Sequence, residues 1–414
     1  MRDVIVIGGG PAGSTAATLL AQQGLSVTLL ERERFPRFQI GESLLPYNND
    51  LFSRLGLSEA LTDGDYVPKY GAYFVIGDGS YGYRFRFDQR LDDPYRRSFQ
   101  VKRSEFDHLL LKNAEKHGVE VRQETPVTSV DLSDPDKAIV NGELEARFVV
   151  DASGHGSVVG QKVAGRADVD SLKKIAFFAH YTNVPRAEGR DAGNTVIVVL
   201  RDAWFWLIPI TAEVMSVGLV VDRDHYLRCG LDSETLIQRT IDGAPWMAER
   251  MKDARRVTQI HARKDFSFRM NRLVDTNYAL VGDAAGFLDP IFSTGVFMAM
   301  KSADMANGAV LERLRTGSMD GLRRYEWEMQ RGLDRYLRFI EHFYDHDFLE
   351  VFLHPSERWG ILTAVVGVLA GDIFATRNNR FRLWLFFALV QLQKWRGGIA
   401  PRIGWDALPA AAKL

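Results

Sequence analysis

The sequence predicts an α/β protein: a nucleotide-type βαβ unit opens the chain, an antiparallel sheet is inserted into it in two pieces, and the chain ends in helices. Three observations predict it. The apolar strand Val4 to Ile7 runs into the glycine-rich turn Gly8-Gly9-Gly10-Pro11-Ala12-Gly13 and then into a helical stretch reaching about Gln23. Strand-like texture fills Val67 to Phe99, where apolar and polar residues alternate among aromatics and glycines, and returns between Leu172 and Val221. Beyond Gly295 the apolar spacing turns helical to the end.

The 414 residues are enough for two domains that share an interface. The changes of texture divide them into 1–65, 101–165 and 271–330 for the three parts of the nucleotide fold, 66–100 and 166–270 for the two parts of the inserted sheet domain, and 331–414 for the helical C-terminal region. Within the second inserted part, Ile175 to Phe178, Thr195 to Leu200 and Ser216 to Val221 read as strands, and Tyr278 to Val281 returns the chain to the nucleotide fold.

Composition narrows the function. Lys plus Arg (52) nearly balances Asp plus Glu (53), so no chain-wide positive field holds nucleic acid phosphates, and a small-molecule or protein-borne substrate is expected instead. A single cysteine, Cys229, excludes an intramolecular disulfide and a thiolate-rich metal cluster. No metal site is expected. The first strand begins without the basic and long apolar regions of a secretory signal, so the expected location is cytoplasmic, with contact at the inner membrane surface as an extension of it.

The glycine turn is placed where a dinucleotide needs it. Gly8 permits the tight turn, Gly10 lets the backbone approach a pyrophosphate, and Gly13 lets the helix pack close to the strand, with the helix N-terminus facing the phosphate charge. The second strand, Val27 to Leu30, ends in Glu31, where an acidic residue accepts hydrogen bonds from a ribose diol. With strand, turn, helix and acid in register, this is a Rossmann dinucleotide site. Only one such fingerprint occurs, so no second site for a tightly bound nicotinamide nucleotide is expected.

Four further segments choose the dinucleotide by resemblance. Phe35-Pro36-Arg37 through Gly41-Glu42-Ser43, Arg103 within Val101 to Phe106, Val149-Val150-Asp151-Ala152-Ser153-Gly154, and Gly282-Asp283-Ala284-Ala285 resemble, in this order, segments of the flavoprotein monooxygenase and halogenase superfamily. The resemblance implies a glutathione-reductase-like fold that binds FAD. It places Arg37, Glu42, Ser43, Arg103, Asp151 and Gly282 beside the cofactor and gives Asp283 the ribityl chain.

Three more segments resemble flavin-dependent halogenases in particular. Trp204-Phe205-Trp206-Leu207-Ile208-Pro209 matches their W-x-W-x-I-P signature, although on its own it is an aromatic strand closed by proline, whose default role is core packing. Phe287-Leu288-Asp289-Pro290-Ile291-Phe292-Ser293-Thr294-Gly295 matches F-x-x-P-x-x-S-x-G. A turn that enters a helix offers free N–H groups and a positive dipole end, which suits chloride or bromide near Pro290, Ser293, Thr294 and Gly295. Lys69, in Pro68-Lys69-Tyr70-Gly71, resembles the K-x-G lysine that guides hypohalous acid in that family. Tryptophan halogenases carry a glutamate before the serine of the second signature, whereas Phe292 stands here, so the resemblance leans toward halogenases of phenols and of pyrroles tethered to carrier proteins.

The resemblance thus implies halogenation in secondary metabolism with FADH2, O2 and chloride or bromide. It also implies an aromatic substrate, free or tethered to an acyl or peptidyl carrier protein, and a separate flavin reductase. Reductases resembling geranylgeranyl reductases share the fold, and an apolar C-terminus suits them too; a flavin-binding scaffold without turnover is the third reading. In the C-terminal region Phe339, Ile340, Phe343, Tyr344, Phe348 and Leu349 recur at helical spacing and are expected to pack in the core. The apolar pieces Trp359 to Gly371 and Leu383 to Leu392 are shorter than a spanning helix. Arg377, Arg380, Arg382, Lys394, Arg396 and Arg402 flank them and suit an acidic carrier protein or an anionic membrane surface.

Overall fold

The computed structural model describes residues 1–163, 165–264, 267–374 and 377–411, with the side chains of residues 377 and 378 outside the description. An eight-stranded sheet anchors the nucleotide fold, in the order Val274–Asp275, Tyr278–Leu280, Leu144–Asp151, Arg2–Ile7, Val27–Leu30 and Glu120–Arg122, with the hairpin Val130–Asp134 and Lys137–Val140 off its path. Its central pairings are parallel. Strands buried on both faces read as unbroken apolar runs, and Val4, Ile5, Val6, Leu29, Phe148 and Val149 are all buried. Helix Pro11–Gln22 covers one face and packs against the long helix Thr294–Thr316.

The inserted domain is a second eight-stranded sheet. Its strands run Arg255–Arg256, Lys174–Thr182, Met215–Asp222, Ala203–Pro209, Thr195–Val199, Gly71–Ile76 and Gly82–Arg86, with His261–Lys264 beside Lys174–Thr182. It is antiparallel except for one parallel pairing, Thr195–Val199 against Gly71–Ile76. The exception joins the two separately inserted pieces, which a crossover connects rather than a hairpin. The sheet has two apolar faces. Phe74, Ile197, Trp204 and Trp206 turn inward to the main core, while Val75, Val198, Phe205 and Leu207 pack under helices Ser233–Gly243 and Pro245–Met251. A separate ribbon pairs Val67–Lys69 with Ser98–Gln100.

Helices Asp320–Phe343, His346–Leu353, Ile361–Ala370 and Arg377–Arg396 form the C-terminal region. Phe339, Ile340, Phe343, Phe348 and Leu349 are buried there, and Phe292 packs edge-on against Phe339 and Phe343. Tyr344 is only partly covered. Among the described residues no helix is long and apolar enough to cross a membrane.

Candidate active site

The glycine turn is built by steric exclusion. Gly8 has φ +101°, and a Cβ there would lie 2.5 Å from the Ala152 carbonyl oxygen; a Cβ on Gly13 would lie 1.8 Å from the Gly8 carbonyl oxygen. Gly10 is different, since a Cβ would meet only the Arg37 guanidinium, at 3.4 Å. The helix that starts at Pro11 has no side-chain cap, so its N–H groups face a space that Gly10 leaves open and Arg37 borders. The Glu31 carboxylate accepts hydrogen bonds from the backbone N–H of Gly9 (2.6 Å) and of Glu33 (2.8 Å), which leaves each oxygen a lone pair for a ribose hydroxyl. These residues fit the pyrophosphate and ribose of FAD.

Arg37 and Arg103 are drawn together by a residue that the motif reading missed. Buried Asp107 accepts two hydrogen bonds from Arg103, at 2.7 and 2.9 Å, and one from Arg37 at 3.2 Å. Arg103 also donates to the Ile40 carbonyl at 2.5 Å, so segment 35–43 is tied to helix Arg103–Lys116. The spacing of Arg103 and Asp107, four residues apart on one helix, was the available signal. Glu42 is buried and meets His180 Nε2 at 2.6 Å, while its second oxygen has no partner among the described residues. His180 carried no sequence signal.

Asp151 and Asp283 sit on either side of the nucleotide turn. Asp151 is fully buried, and burial raises its pKa; its carboxylate holds the turn after its strand by accepting from Ser153 N–H (3.0 Å), Ser153 Oγ (2.5 Å) and Val159 N–H (2.7 Å). Asp283 remains partly exposed, with His155 Nδ1 3.2 Å away. Gly282 has φ +60°, and a Cβ there would come within 2.9 Å of Ala12 Cβ, which keeps the Asp283 turn close to the first helix.

Lys69 is 2 % exposed, at the end of the ribbon strand. Its Nζ donates to Ser43 Oγ (2.8 Å) and to the Leu44 carbonyl (3.2 Å), and lies 5.6 Å from the centre of the Phe87 ring. Ser43 Oγ lies 3.0 Å from Thr195 Oγ1, so one short polar chain joins the ribbon, the 41–43 segment and the inserted sheet. No carboxylate pairs with this amine among the described residues, and burial pushes its pKa down to about 7. A good share of Lys69 is then a free amine at neutral pH.

Trp204 and Trp206 are buried on the inner face of the sheet with ring centroids 5.9 Å apart. Trp206 lies directly opposite Gly218, where a Cβ would come within 2.2 Å of the indole. The lone glycine in the apolar run Ser216 to Val221 was the signal for this close approach. Trp204 Nε1 donates to Tyr344 Oη (3.1 Å), which donates to Asp289 Oδ2 (3.0 Å); Asp289 Oδ1 accepts from Ile291 N–H (2.9 Å). The Trp204 to Pro209 and Phe287 to Gly295 segments therefore meet through Tyr344. Burial pushes Asp289 up to about 6.

The turn after Asp289 ends in an unusual backbone. Ser293 has φ +57°, a left-handed conformation uncommon for a residue with a side chain, and no side chain caps the helix that begins at Thr294. Its N–H groups at Thr294 and Gly295 are available to an anion, and a Cβ on Gly295 would come within 3.1 Å of the Phe287 ring. Pro290 lies in the same turn, and its carbonyl accepts the Ser293 N–H at 3.0 Å.

Known proteins resemble this chain over most of its length. The sequence profile of the tryptophan halogenase family matches residues 3–94 and 84–348. A 1H-pyrrole-2-carbonyl-[peptidyl-carrier protein] chlorinase of Pseudomonas fluorescens is 28 % identical over 91 % of this chain and 90 % of its own length. A brominase of the same carrier-bound pyrrole from Pseudoalteromonas luteoviolacea is 33 % identical over 75 % of this chain and 78 % of its own. Of solved structures, a flavin-dependent brominase has a TM-score of 0.84 at 29 % identity, with 95 % of this chain and 100 % of that one covered. A flavoprotein/dehydrogenase from Cytophaga hutchinsonii has a TM-score of 0.87 at 28 % identity, covering 95 % and 98 %.

Proposed function

Because this chain belongs to the tryptophan halogenase family and is an FAD-dependent oxidoreductase, we propose that it halogenates a pyrrole or phenol ring, free or carried on an acyl or peptidyl carrier protein, with Lys69 as the residue that delivers the halogen. When bound, reduced FAD and O2 supply the oxidising equivalents that turn chloride or bromide into hypohalous acid. Everything else falls to the protein. The N–H groups of Thr294 and Gly295, at the start of a helix with no side-chain cap, hold the halide, and the Pro290 to Ser293 turn sets their direction. Trp204 and Trp206 fill the inner face of the sheet and keep an organic substrate away from the oxidant.

Lys69 carries the reading. A buried amine with a pKa of about 7 and no carboxylate partner can hydrogen-bond hypohalous acid or be halogenated itself, and either form aims an electrophilic halogen at an electron-rich carbon. Phe292 stands where tryptophan halogenases carry a glutamate before the serine of this segment, and it is buried against Phe339 and Phe343. This favours a ring without a zwitterionic tail. Reducing equivalents come from a separate flavin reductase, in keeping with a sequence whose single dinucleotide fingerprint offers no second site for a tightly bound nicotinamide nucleotide. The test is a substrate panel: enzyme, reduced FAD, O2 and bromide, offered carrier-bound pyrrole-2-carboxylate, free phenols and free tryptophan, with products read by mass spectrometry. Brominated carrier-bound pyrrole or phenol supports the proposal, and bromination of tryptophan alone overturns it.

A further inference from the structure

Helix Arg377–Arg396 is apolar on two sides. Its inner side is fixed: Phe386, Val390 and Gln393 are fully buried, and Gln393 donates to Glu350 (2.7 Å) while accepting the N–H of Ile399 and Ala400. The outer side carries Phe381 (60 % exposed), Trp384 (61 %), Leu392 (39 %) and Trp395 (80 %). With half-buried Ala388 these residues fall at steps of three and four, so they form one stripe, about 21 Å long at 1.5 Å per residue. The Phe381 and Trp384 rings stack at 5.9 Å. Trp359, 68 % exposed, stands beside the helix, since the Arg382 side chain lies against Gly360.

Charge is distributed to match. From Arg377 to Arg396 the sequence holds five cations and no Asp or Glu, in a chain whose net charge is −1. Arg380 and Arg382 stand at one end of the stripe, and Lys394 and Arg396 at the other. Lys394 pairs with Asp345 at 3.2 Å, but Arg380 and Arg396 have no ion pair among the described residues. A second copy of the chain is a poor cover, because an isologous contact would lay two such cationic helices on each other.

We propose that this face docks on an anionic lipid bilayer, lying in the interface without crossing it. Indole and phenyl rings in a line reach headgroup depth, where a tryptophan N–H meets polar headgroups, and the cations at both ends meet lipid phosphate. The helix is long enough to lie flat and is held by its inner face, so docking requires no rearrangement. An acidic carrier protein is the other class of partner, but a row of exposed aromatics along a whole helix matches the bilayer interface more closely.

The experiment is co-sedimentation of the purified flavoprotein with vesicles of pure phosphatidylcholine or with 30 % phosphatidylglycerol. Wild type should bind the anionic vesicles with a blue shift of tryptophan emission, and release in high salt. Each cation near an anionic surface is worth about fivefold in partition. Arg380→Glu with Arg396→Glu should therefore lower binding at least about 25-fold, and Trp384→Ser with Trp395→Ser should abolish the blue shift. All four side chains are on the surface, and FAD content and turnover of a free aromatic substrate should stay unchanged in both variants, which shows that they fold. Three results overturn the proposal: no binding of wild type to anionic vesicles, equal binding of the variants, or a carrier protein or second copy that occupies this face in place of lipid.

Discussion

Gly13→Ala is the most direct probe of the cofactor site, because its effect can be worked from one contact. The added methyl would sit 1.8 Å from the Gly8 carbonyl oxygen, about 1.6 Å short of the distance where ordinary contact begins. Backbone on both sides leaves no flexible side chain to yield. Gly8 is held in turn by φ +101° and by the Ala152 carbonyl, so the first helix must move away from the first strand. That movement displaces the N–H groups that would face the pyrophosphate. Overpacking of this kind costs about 3 kcal/mol at its upper end, about 100-fold in FAD affinity. Gly10→Ala separates the fold from the cofactor: its methyl meets only the Arg37 guanidinium at 3.4 Å, so the melting temperature should hardly change, while FAD affinity should fall because the methyl enters the space left for the pyrophosphate. Fluorescence titration of FAD into the apoprotein, with a thermal melt of each variant, reads both effects. Gly13→Ala with wild-type affinity and melting temperature would refute the reasoning.

Other consequences follow from buried groups. Lys69 has a folded pKa of about 7 against an ordinary 10.5, so between these values the unfolded chain holds the extra proton, and the cost of burying Lys69 falls as pH rises. Melting temperatures between pH 6.5 and 9.5 should therefore show a rising component that Lys69→Met lacks. Tyr344→Phe leaves Trp204 Nε1 and Asp289 Oδ2 without their shared partner, which should cost about 1–3 kcal/mol in a urea melt and raise the bromide KM more than it lowers kcat. Gly218→Ala pushes a methyl into the Trp206 indole and should destabilise by about 2 kcal/mol, measured the same way, with more oxidant lost without product.

The sequence makes some of these features plain and hides others, for physical reasons. Strand Val27–Leu30 falls where its apolar run does, and the first helix ends one residue short of Gln23, because steric rules and burial on both faces leave such segments few alternatives. The parallel pairing of Thr195–Val199 with Gly71–Ile76 was not legible, since nothing local marks which distant strand is a neighbour. The site shows the same division. Glycines report close approach, so Gly8, Gly13 and Gly218 have visible reasons. Partners across the fold do not: Tyr344 lies 55 residues from Asp289 and 140 from Trp204, and read as one more apolar position of a helix. Likewise Asp151, grouped with the cofactor by resemblance, spends its carboxylate on the turn that follows it. The 339–349 aromatics were expected inside and are, apart from half-covered Tyr344, while Phe381, Trp384 and Trp395 further along point outward with no change in residue type to announce it.

The central claim is that this protein makes a carbon–halogen bond and that Lys69 delivers the halogen. One comparison tests it: wild type, Lys69→Ala and Lys69→Arg are given reduced FAD, O2, bromide and an electron-rich aromatic acceptor, with products read by mass spectrometry and FAD affinity measured in parallel. The account predicts a brominated ring from wild type, none from either variant, and FAD affinity within about twofold throughout, because the amine and not the charge is required and the lysine stands outside the nucleotide turn. Undiminished bromination by Lys69→Ala, or no bromination by wild type with phenol, pyrrole or carrier-bound acceptors, would contradict it.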